Sequence, residues 1–425
     1  MSNPYTPVLI SHLSAREILD SRGFPTVECS CHLTDGRITW ASVPSGASTG
    51  SHEAMELRDQ NPRRYQGQGV LKALKNIETA LSPLISGEDP CEQAKIDQIF
   101  IKADSTPNKK RFGGNAILAA SCAIAKAGAL KKHVHLFQHF SDLANNDHPL
   151  KIPTPMFNIM NGGVHAGMAL DFQEFMVIPN PISIPNYPDQ LETCATLTHE
   201  LKHTLTKHSF SGSVGDEGGF APTLKRNRDA INLIKETTAL VKHQFGTDIR
   251  LGIDCAANTY FRDQHFYIRD FPKPLTASEY ENFLQKLVDE YHLFSLEDIY
   301  PEDAWDRWQA FTRRAGDRLT IIGDDLLVTN PGRLERAIKE QACNGIIVKP
   351  NQIGTITEAV DVVNLAKSHL FKTVISHRSG ETTDTLIADF AVGVGADLVK
   401  FGAPIRGERV AKYNRLLRIH TFLDS

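Results

Sequence analysis

A repeated pattern in the second half of this 425-residue chain constrains its fold more than any other feature. A short apolar run ends in a charged side chain, a helical pattern follows, and the next apolar run again ends in a charged side chain. The intervals between these charged ends are 23 to 43 residues, and most match one strand plus one helix. The charged ends are Asp254, Glu297, Asp324, Lys349, His377 with Arg378, and Lys400. The pattern therefore predicts consecutive βα units.

Six such units fit best in one parallel sheet, because each helix returns the chain to the same edge. With two further segments upstream, residues 172–179 and 213–219, the sequence predicts a closed eight-stranded α/β (TIM-like) barrel. In that fold the groups at the carboxyl ends of the strands converge on one mouth. We therefore expect the charged ends to form a single site.

The first part of the chain has a different pattern. Residues 8–40 alternate apolar and polar positions, with turn signals at 21–23 and 34–36, which indicates an antiparallel meander. Helical spacing follows, and it covers residues 70–81, 93–101 and 115–131. The polar stretch 141–148 is the best candidate boundary. We predict a smaller α+β domain, residues 1–140, followed by the barrel domain, residues 141–425.

Composition and charge narrow the function. A net charge of −4 gives no basic surface for nucleic acid and no polybasic membrane patch. Lys126 interrupts the most apolar helical segment, and Arg16, Glu17 and Asp20 break any signal-peptide pattern, so neither a membrane span nor secretion is expected. Seven scattered cysteines indicate a reduced, cytoplasmic protein. We expect a small-molecule partner.

Three carboxylates, from Asp254, Glu297 and Asp324, stand on successive predicted strand ends. Oxygen ligands without a neighbouring histidine or cysteine suit Mg²⁺, which keeps waters and accepts further oxygens from a substrate. Each acid alone is equally well explained as the cap of the following helix. The run of three favours the metal site, whereas Asp325 would point away and is interpreted as structural.

Four cationic or potentially cationic groups, from Lys349, His377, Arg378 and Lys400, follow the acids. A single lysine at a strand end is equally well explained as a surface residue, whose apolar stem packs on the protein while its ammonium group reaches solvent. Beside the acids, the four groups predict an anionic substrate, with a phosphate near Arg378 and Ser379. Lys349, surrounded by other cations, is expected to be neutral often enough to act as a base.

A metal site, cationic side chains and a neutral lysine are the groups needed to remove a proton next to a carboxylate. The resulting enediolate needs cations where its negative charge develops. Loss of hydroxide from the neighbouring carbon then requires a general acid. The glycine-rich segment 215–219, with Glu217, and the pair Gln173-Glu174 offer acids. Without the other groups, the glycine run would be interpreted as a tight turn, and His165 in the loop 161–167 as a loop histidine without a catalytic role.

Several long motifs, in order along nearly the whole chain, resemble the enolase family. The matching segments are residues 15–23, 44–50, 161–175, 214–222, 323–331, 351–354, 376–381 and 409–414. The resemblance implies Mg²⁺-dependent, reversible dehydration of 2-phosphoglycerate to phosphoenolpyruvate, the phosphopyruvate hydratase reaction of glycolysis and gluconeogenesis. It also implies a homodimer or a larger homo-oligomer, with Arg16-Glu17 and Glu408-Arg409 at the subunit contact.

The same resemblance implies a role for each site residue. Lys349 would take the proton from the second carbon, and Glu217 would help hydroxide leave. Asp254, Glu297 and Asp324 would bind the first Mg²⁺, and Ser45, in the loop 44–50, would help hold a second ion. The other implied positions are Glu174 and His165 as catalytic groups and Gln173, His377, Arg378, Ser379 and Lys400 as substrate-binding groups.

Three alternatives stay open. The first is a related superfamily member that acts on another carboxylate by the same proton abstraction, against which the pair Arg378 and Ser379 argues. The second is a non-catalytic binding or structural protein that retains the fold, against which the presence of Lys349, Glu217 and the three acids argues. A paralogue with altered specificity also stays open, because five positions depart from the family pattern, several of them beside site residues; they are Phe24, Asn258, Thr259, Ile299 and Phe401.

Overall fold

The computed structural model describes residues 7–46, 52–168, 170–245 and 248–425. The chain divides into two compact units. We call one the first unit; it comprises Met1–Lys151, Val348–Leu365 and Arg378–Gly395. The other is the barrel unit, which comprises Ile152–Ile347, Ala366–His377 and Ala396–Ser425. Among the described helices, none has the length and apolar character needed to cross a membrane.

The first unit begins with the predicted antiparallel meander. Its strands are β1 (Ile10–Leu19), β2 (Pro25–Leu33) and β3 (Ile38–Ser42), hydrogen-bonded in the order β1-β2-β3. Gly23 and Gly36 lie in the two connecting turns with φ of +77° and +87°, a backbone conformation that favours glycine. The turn signals in the sequence therefore marked both strand boundaries.

Helices follow the sheet, as the spacing of apolar residues predicts. They are α1 (Leu71–Asn76), which continues through a π-helical turn (Ile77–Leu81) into α2 (Ser82–Ile85), then α3 (Gln93–Asp104), α4 (Gly114–Lys132) and α5 (Leu136–Ala144). Helix α4 packs against β2 and β3 and is buried along most of its length. Its Lys126 forms a 2.8 Å ion pair with Asp384, so the charge in this apolar helix has a partner.

The remaining elements alternate between strands and helices. In chain order they are β4 (Thr154–Asn161), β5 (Glu174–Pro179), α6 (Tyr187–Lys207), α7 (Asn227–Phe245), β6 (Ile249–Asp254), β7 (Phe261–Arg262), β8 (His265–Phe266), α8 (Ala277–Tyr291), β9 (Ser295–Glu297), α9 (Trp305–Ala315), β10 (Thr320–Gly323), α10 (Pro331–Glu340), β11 (Gly345–Val348), α11 (Pro350–Ile353), α12 (Ile356–Ser368), β12 (Lys372–Ser376), α13 (Leu386–Gly393), β13 (Leu398–Lys400) and α14 (Gly407–Leu423). Helix α10 shows how local sequence sets a boundary: Asn330 Oδ1 accepts a 3.1 Å hydrogen bond from the Arg333 amide, and Pro331 is the first helical residue.

Eight of these strands close into a barrel in the order β10-β11-β12-β13-β4-β5-β6-β9, which confirms the predicted barrel. Strand β5 runs antiparallel to both of its neighbours, β4 and β6, so the expectation of a wholly parallel sheet is wrong. The segment 213–219, predicted as a strand, instead turns back on itself, with the Gly215 amide 2.8 Å from the Gly219 carbonyl oxygen. Strand β4 takes its place in the barrel.

The barrel interior is filled by apolar side chains from several strands. They are Met156, Met176, Ile178, Ile322, Ile347, Val374 and Leu398. A Cβ atom on Gly252 would lie 2.4 Å from Ser295 Oγ, so only glycine fits this close approach between β6 and β9. Burying each large side chain contributes about 1.5–3 kcal/mol, which makes the barrel a rigid support for its strand ends.

Candidate active site

The charged residues that the sequence placed at strand ends do lie there. Asp254, Glu297 and Lys400 are the last residues of β6, β9 and β13, whereas Asp324, Lys349 and His377 directly follow β10, β11 and β12. The reversal of β5 adds one group, because its first residue, Glu174, pairs in register with Asp254. An antiparallel strand thus brings its amino end to the edge where its neighbours end.

Lys400 is surrounded by carboxylates within the barrel unit. Its Nζ lies 2.8 and 2.9 Å from the two oxygens of Glu297, 3.2 Å from Glu174 Oε2 and 3.7 Å from Asp254 Oδ2. Each of these four side chains is at least 97% buried. We call Glu174, Asp254, Glu297 and Asp324 the acid cluster, since all four act electrostatically on Lys400.

The acid cluster holds more negative charge than one ammonium group balances. Burial raises the pKa of Glu297, Asp254 and Asp324 raise it further, and Lys400 offsets only part of the effect. Burial likewise raises the pKa of Glu174, against the opposing effect of Lys400. For Lys400 itself, burial lowers the pKa, but the surrounding carboxylates outweigh burial and hold the pKa well above its usual value. Such a cluster favours an additional cation.

Glu217 lies in the glycine turn 215–219 and is buried. Its Oε2 accepts a 2.9 Å hydrogen bond from Asn158 Nδ2 and lies 3.5 Å from His377 Nε2. Its backbone carbonyl accepts a hydrogen bond from the Ala403 amide at 3.0 Å. The carboxyl group is therefore fixed by side chains from β4 and from the end of β12, which favours a defined proton-transfer geometry.

In the first unit, Arg378 is the centre of a buried network. Its Nη1 donates to Glu53 Oε2 at 2.9 Å and to Asn351 Oδ1 at 3.2 Å. Gln352 Nε2 lies 3.4 Å from the other oxygen of Glu53. Arg378 is thus held with its guanidinium group in one orientation.

Ser45 lies in the same unit and forms an isolated β-bridge with Gly380, the residue after Ser379. A Cβ atom on Gly380 would lie 2.3 Å from Asp20 Oδ2, so glycine is required here. Ser45 Oγ accepts hydrogen bonds from Arg58 Nη2 at 2.7 Å and from Arg22 Nη2 at 3.3 Å. These guanidinium groups therefore bond to the hydroxyl group of the residue for which the resemblance implies a second metal ion.

Comparison with known proteins identifies the family. Residues 10–140 match the family described as "Enolase, N-terminal domain", and residues 149–425 match "Enolase, C-terminal TIM barrel domain". This chain belongs to the enolase family. An enolase from Mycobacteroides abscessus is 48% identical over 415 residues, which cover 98% of this chain and 95% of that protein. These matches confirm the barrel preceded by a smaller domain, and the enzyme class, phosphopyruvate hydratase.

Enolase membership implies a divalent metal, and the acid cluster has the donors that such an ion needs. Asp254, Glu297 and Asp324 offer only carboxylate oxygens, the ligands that hard cations prefer. Gln173 Nε2 donates to Asp254 Oδ2 at 3.3 Å, and the Ala256 amide donates to Asp254 Oδ1 at 2.9 Å. These second contacts orient the carboxylate, as ligand-supporting groups do in metal sites.

Asp298 is a residue that sequence reasoning missed. Carboxylate oxygens of Asp298, Asp324 and Asp325 lie within 4.8 Å of one another. The two oxygens of Asp298, however, accept hydrogen bonds from the backbone amides of Asp324, at 2.9 Å, and Asp325, at 2.8 Å. Asp298 therefore fixes the backbone that carries Asp324, and we interpret it as an orienting group rather than a ligand. The sequence shows the acid pair at the end of β9, but not the amides opposite it.

The remaining predicted positions have different outcomes. His165 lies in the 3₁₀ turn Gly163–Ala166, and its side chain falls outside the described part of the chain, as do residues 47–50 of the Ser45 loop. Lys349 immediately precedes α11, and its carbonyl oxygen accepts a hydrogen bond from the Gln352 amide at 2.9 Å. The expectation that Arg409 lies at a subunit contact is wrong, because its side chain is buried and bonded to His377.

Proposed function

We propose that this enolase catalyses the Mg²⁺-dependent, reversible dehydration of 2-phosphoglycerate to phosphoenolpyruvate. The acid cluster around Lys400 carries the proposal. Buried carboxylates in excess over their ammonium partner favour a bound cation, and a cation beside Lys400 favours a substrate carboxylate. That combination suits a reaction that builds negative charge next to a carboxylate.

Asp254, Glu297 and Asp324 are the residues that would hold Mg²⁺. When bound, Mg²⁺ supplies positive charge that stabilises the negative charge developing on the substrate carboxylate. Lys400 adds a second positive charge, and its contacts with Glu297 and Glu174 keep its ammonium group in one position. Because these groups are oriented before substrate binds, they need little reorganisation during the reaction.

Lys349 would act as the base. Its neutral Nζ takes the proton from C2 of 2-phosphoglycerate, and the electron pair left behind spreads into the carboxylate. Support comes from its position at the end of β11, the strand paired in parallel with β10, which Asp324 follows. In the reverse direction, the Lys349 ammonium returns the proton to C2.

Glu217 would act as the acid in the second step. The electron pair at C2 forms the C2–C3 double bond while the bond from C3 to its hydroxyl oxygen breaks, and the Glu217 proton converts the departing hydroxide into water. The contact with Asn158 supports this role because it fixes the carboxyl group that must deliver the proton. Glu174, beside both Glu217 and Lys400, is the second catalytic carboxyl.

The other predicted site residues complete the proposal. Arg378 and Ser379 would bind the phosphate, with Glu53 and Asn351 holding the arginine, and Gln173 and His377 would contact the rest of the substrate. Closure of the loop with His165, a second ion at Ser45, a cytoplasmic location, a homo-oligomer and the domain boundary at residue 140 remain predictions.

The direct test is the absorbance of phosphoenolpyruvate formed from 2-phosphoglycerate, with and without Mg²⁺. Product should form only when Mg²⁺ is present. If no product appears with the metal, the proposed reaction is wrong. Turnover of an unphosphorylated 2-hydroxycarboxylate instead would favour the related superfamily activity.

Two variants separate the steps. Lys349→Ala should abolish exchange of the C2 proton with solvent, because the base is gone. Glu217→Gln should slow dehydration strongly but leave this exchange measurable, because the first step does not need the acid. Unimpaired exchange in the Lys349 variant would reject the assigned base.

A further inference from the structure

Arg409 touches a proposed substrate-binding residue without belonging to the predicted site. It lies on helix α14, its side chain is fully buried, and its Nη1 is 2.8 Å from Nδ1 of His377. A guanidinium group has N–H donors and no acceptor. In this contact Arg409 must therefore donate, and His377 Nδ1 must accept with its lone pair.

The contact determines where His377 carries its proton. A neutral imidazole has one protonated and one unprotonated nitrogen, so an accepting Nδ1 leaves the proton on Nε2. A ring protonated on both nitrogens does not fit, because its Nδ1 proton would point at a donor. Nε2 lies on the side of Glu217, 3.5 Å from its Oε2. His377 is thus set to present an N–H group to the proposed acid.

Several contacts keep Arg409 in place. Its Nη2 donates to the backbone carbonyl of Asp216 at 3.2 Å, and its Nε lies 3.4 Å from Glu408 Oε1. A Cβ atom on Gly402, which has φ of +83°, would lie 2.9 Å from His377 Cε1 and 3.2 Å from Arg409 Cδ. The Arg409 guanidinium group therefore holds both the His377 imidazole and the backbone of Asp216, which precedes Glu217. Any side chain larger than that of glycine at position 402 would crowd both His377 and Arg409.

The arrangement also affects the Glu217 carboxyl group. Oε2 accepts from Asn158 Nδ2 at 2.9 Å and faces the Nε2–H of His377. An Nε2–H group cannot accept a proton, so His377 in this form leaves the Glu217 proton available to the substrate. If His377 carried its proton on Nδ1, its bare Nε2 would compete for that proton.

We propose that Arg409 is a positioning residue that fixes His377 in the Nε2–H form and thereby keeps His377 from competing for the Glu217 proton. The catalytic consequence rests on the proposed role of Glu217, whereas the state of His377 does not. Loss of Arg409 should impair delivery of the proton to the leaving hydroxyl. It should not impair the earlier removal of the C2 proton, in which neither residue takes part.

The first measurement is the protonation state of His377 in Mg²⁺-loaded enzyme with ¹⁵N-labelled histidine. Long-range ¹H–¹⁵N correlations distinguish the two neutral forms from the doubly protonated ring, and His377→Gln identifies the signal among the 17 histidines. We expect the Nε2–H form in the unaltered protein. An Nδ1–H form or a doubly protonated ring would overturn the proposal without any variant or activity measurement.

The second measurement compares two substitutions. Arg409→Lys keeps a donor and should retain the Nε2–H form, whereas Arg409→Met keeps much of the apolar stem and should lose it. In the Met variant we expect kcat to fall about tenfold or more, part of what a general acid supplies, with KM changed less than about twofold. Exchange of the C2 proton should stay within about threefold of the unaltered rate.

Arg313→Met, at an exposed position on α9, is the matched control and should change none of these quantities. An unchanged His377 signal together with unchanged kcat in the Arg409→Met variant would contradict the proposal. Should that variant fail to fold, the unaltered protein and the Lys variant decide. Absence of phosphoenolpyruvate formation by the unaltered enzyme would instead reject the proposed function, while the state of His377 would still be measured.

Discussion

In the barrel unit one ammonium group, that of Lys400, interacts with four buried carboxylates, whereas in the first unit each of three guanidinium groups lies beside a carboxylate of its own. The latter pairs are Arg22 with Asp20, Arg58 with Glu56 and Arg378 with Glu53. Ion pairs of this kind are complete within the chain. The acid cluster is not balanced in this way, so its charges suit an ion that the chain does not supply.

The difference separates ion pairs whose charges are balanced within the chain from a cluster whose excess negative charge favours a bound cation. Removing one member of a balanced buried pair leaves an uncompensated charge and should destabilise the protein. Removing one carboxylate from a cluster with excess negative charge also removes repulsion, so it should affect ligand binding more than folding. Variants in the two units can therefore test the comparison directly.

The largest effect is expected for Glu297→Gln in the acid cluster. Loss of a proposed Mg²⁺ ligand should lower turnover about a thousandfold or more, since a metal stabilises transition-state charge by several kcal/mol. Without metal, the unfolding free energy should change by less than about 1 kcal/mol, because lost Lys400 contacts are offset by reduced repulsion from Asp254 and Asp324.

Thermal unfolding in the presence of a chelator, and again with Mg²⁺, measures both parts of this prediction. Mg²⁺ should raise the melting temperature of the unaltered protein and leave that of the Glu297→Gln variant unchanged. A strongly destabilised metal-free variant would show that the cluster is structural, and the comparison between the units would fail.

The second prediction concerns the balanced pair. Glu53→Gln leaves the buried Arg378 guanidinium with a neutral partner, so the unfolding free energy should fall by about 3–5 kcal/mol. Denaturant unfolding measures this quantity. Glu281→Gln is the matched control, because Glu281 forms a partly exposed ion pair with Arg314 at 2.9 Å, and such pairs contribute less than about 1 kcal/mol. Equal effects of the two variants would contradict the distinction.

A third prediction uses a buried base in the first unit. His139 is fully buried, neither ring nitrogen has a hydrogen-bond partner within the described part of the chain, and burial lowers its pKa to about 4. A folded-state pKa below the unfolded value means that stability is complete above about pH 6.5 and is lost as pH falls towards 4. The difference corresponds to about 3 kcal/mol.

The His139→Phe variant should therefore lose less stability between pH 7 and pH 4 than the unaltered protein, by up to about 3 kcal/mol. Denaturant unfolding at several pH values measures the slope. His148→Phe provides a control, because His148 is exposed and its ring is not confined. Parallel pH profiles of the unaltered protein and the His139 variant would show that His139 does not limit acid stability.

The sequence predicted the parts of this fold and site that repeat along the chain. Asp254, Glu297 and Lys400 could be placed because each ends an apolar run that a helical pattern follows. The reversal of β5 could not, because antiparallel and parallel neighbours have the same apolar pattern in a buried strand. Without the reversal, the pairing of Glu174 with Asp254 could not be predicted.

Supporting residues were missed for a related reason. Asn158 and Arg409 contact groups from distant parts of the chain, Glu217 and His377 respectively, and nothing in their local sequence predicts these contacts. Asn158 lies on β4, a strand that the repeated pattern did not include. Ligands can be recognised by residue type at strand ends, but the groups that orient ligands become visible only when the strands are paired.

The smallest expected effect tests such an orienting group. Asp298→Asn replaces one of two oxygens that accept the amides of Asp324 and Asp325 by an NH₂ group, which cannot accept a hydrogen bond. The Asp324 carboxylate would then be less well oriented, so the Mg²⁺ concentration for half-maximal activity should rise about 10- to 100-fold. At saturating Mg²⁺, kcat should recover to near the unaltered value, because Asp298 is not itself a ligand.

Asp325→Asn is the matched control, because the Asp325 side chain accepts a hydrogen bond from Asn258 at 3.1 Å. This variant should leave the Mg²⁺ requirement nearly unchanged. A kcat that stays low at every Mg²⁺ concentration would place Asp298 among the ligands, and the acid cluster would then extend one residue beyond the strand end of β9.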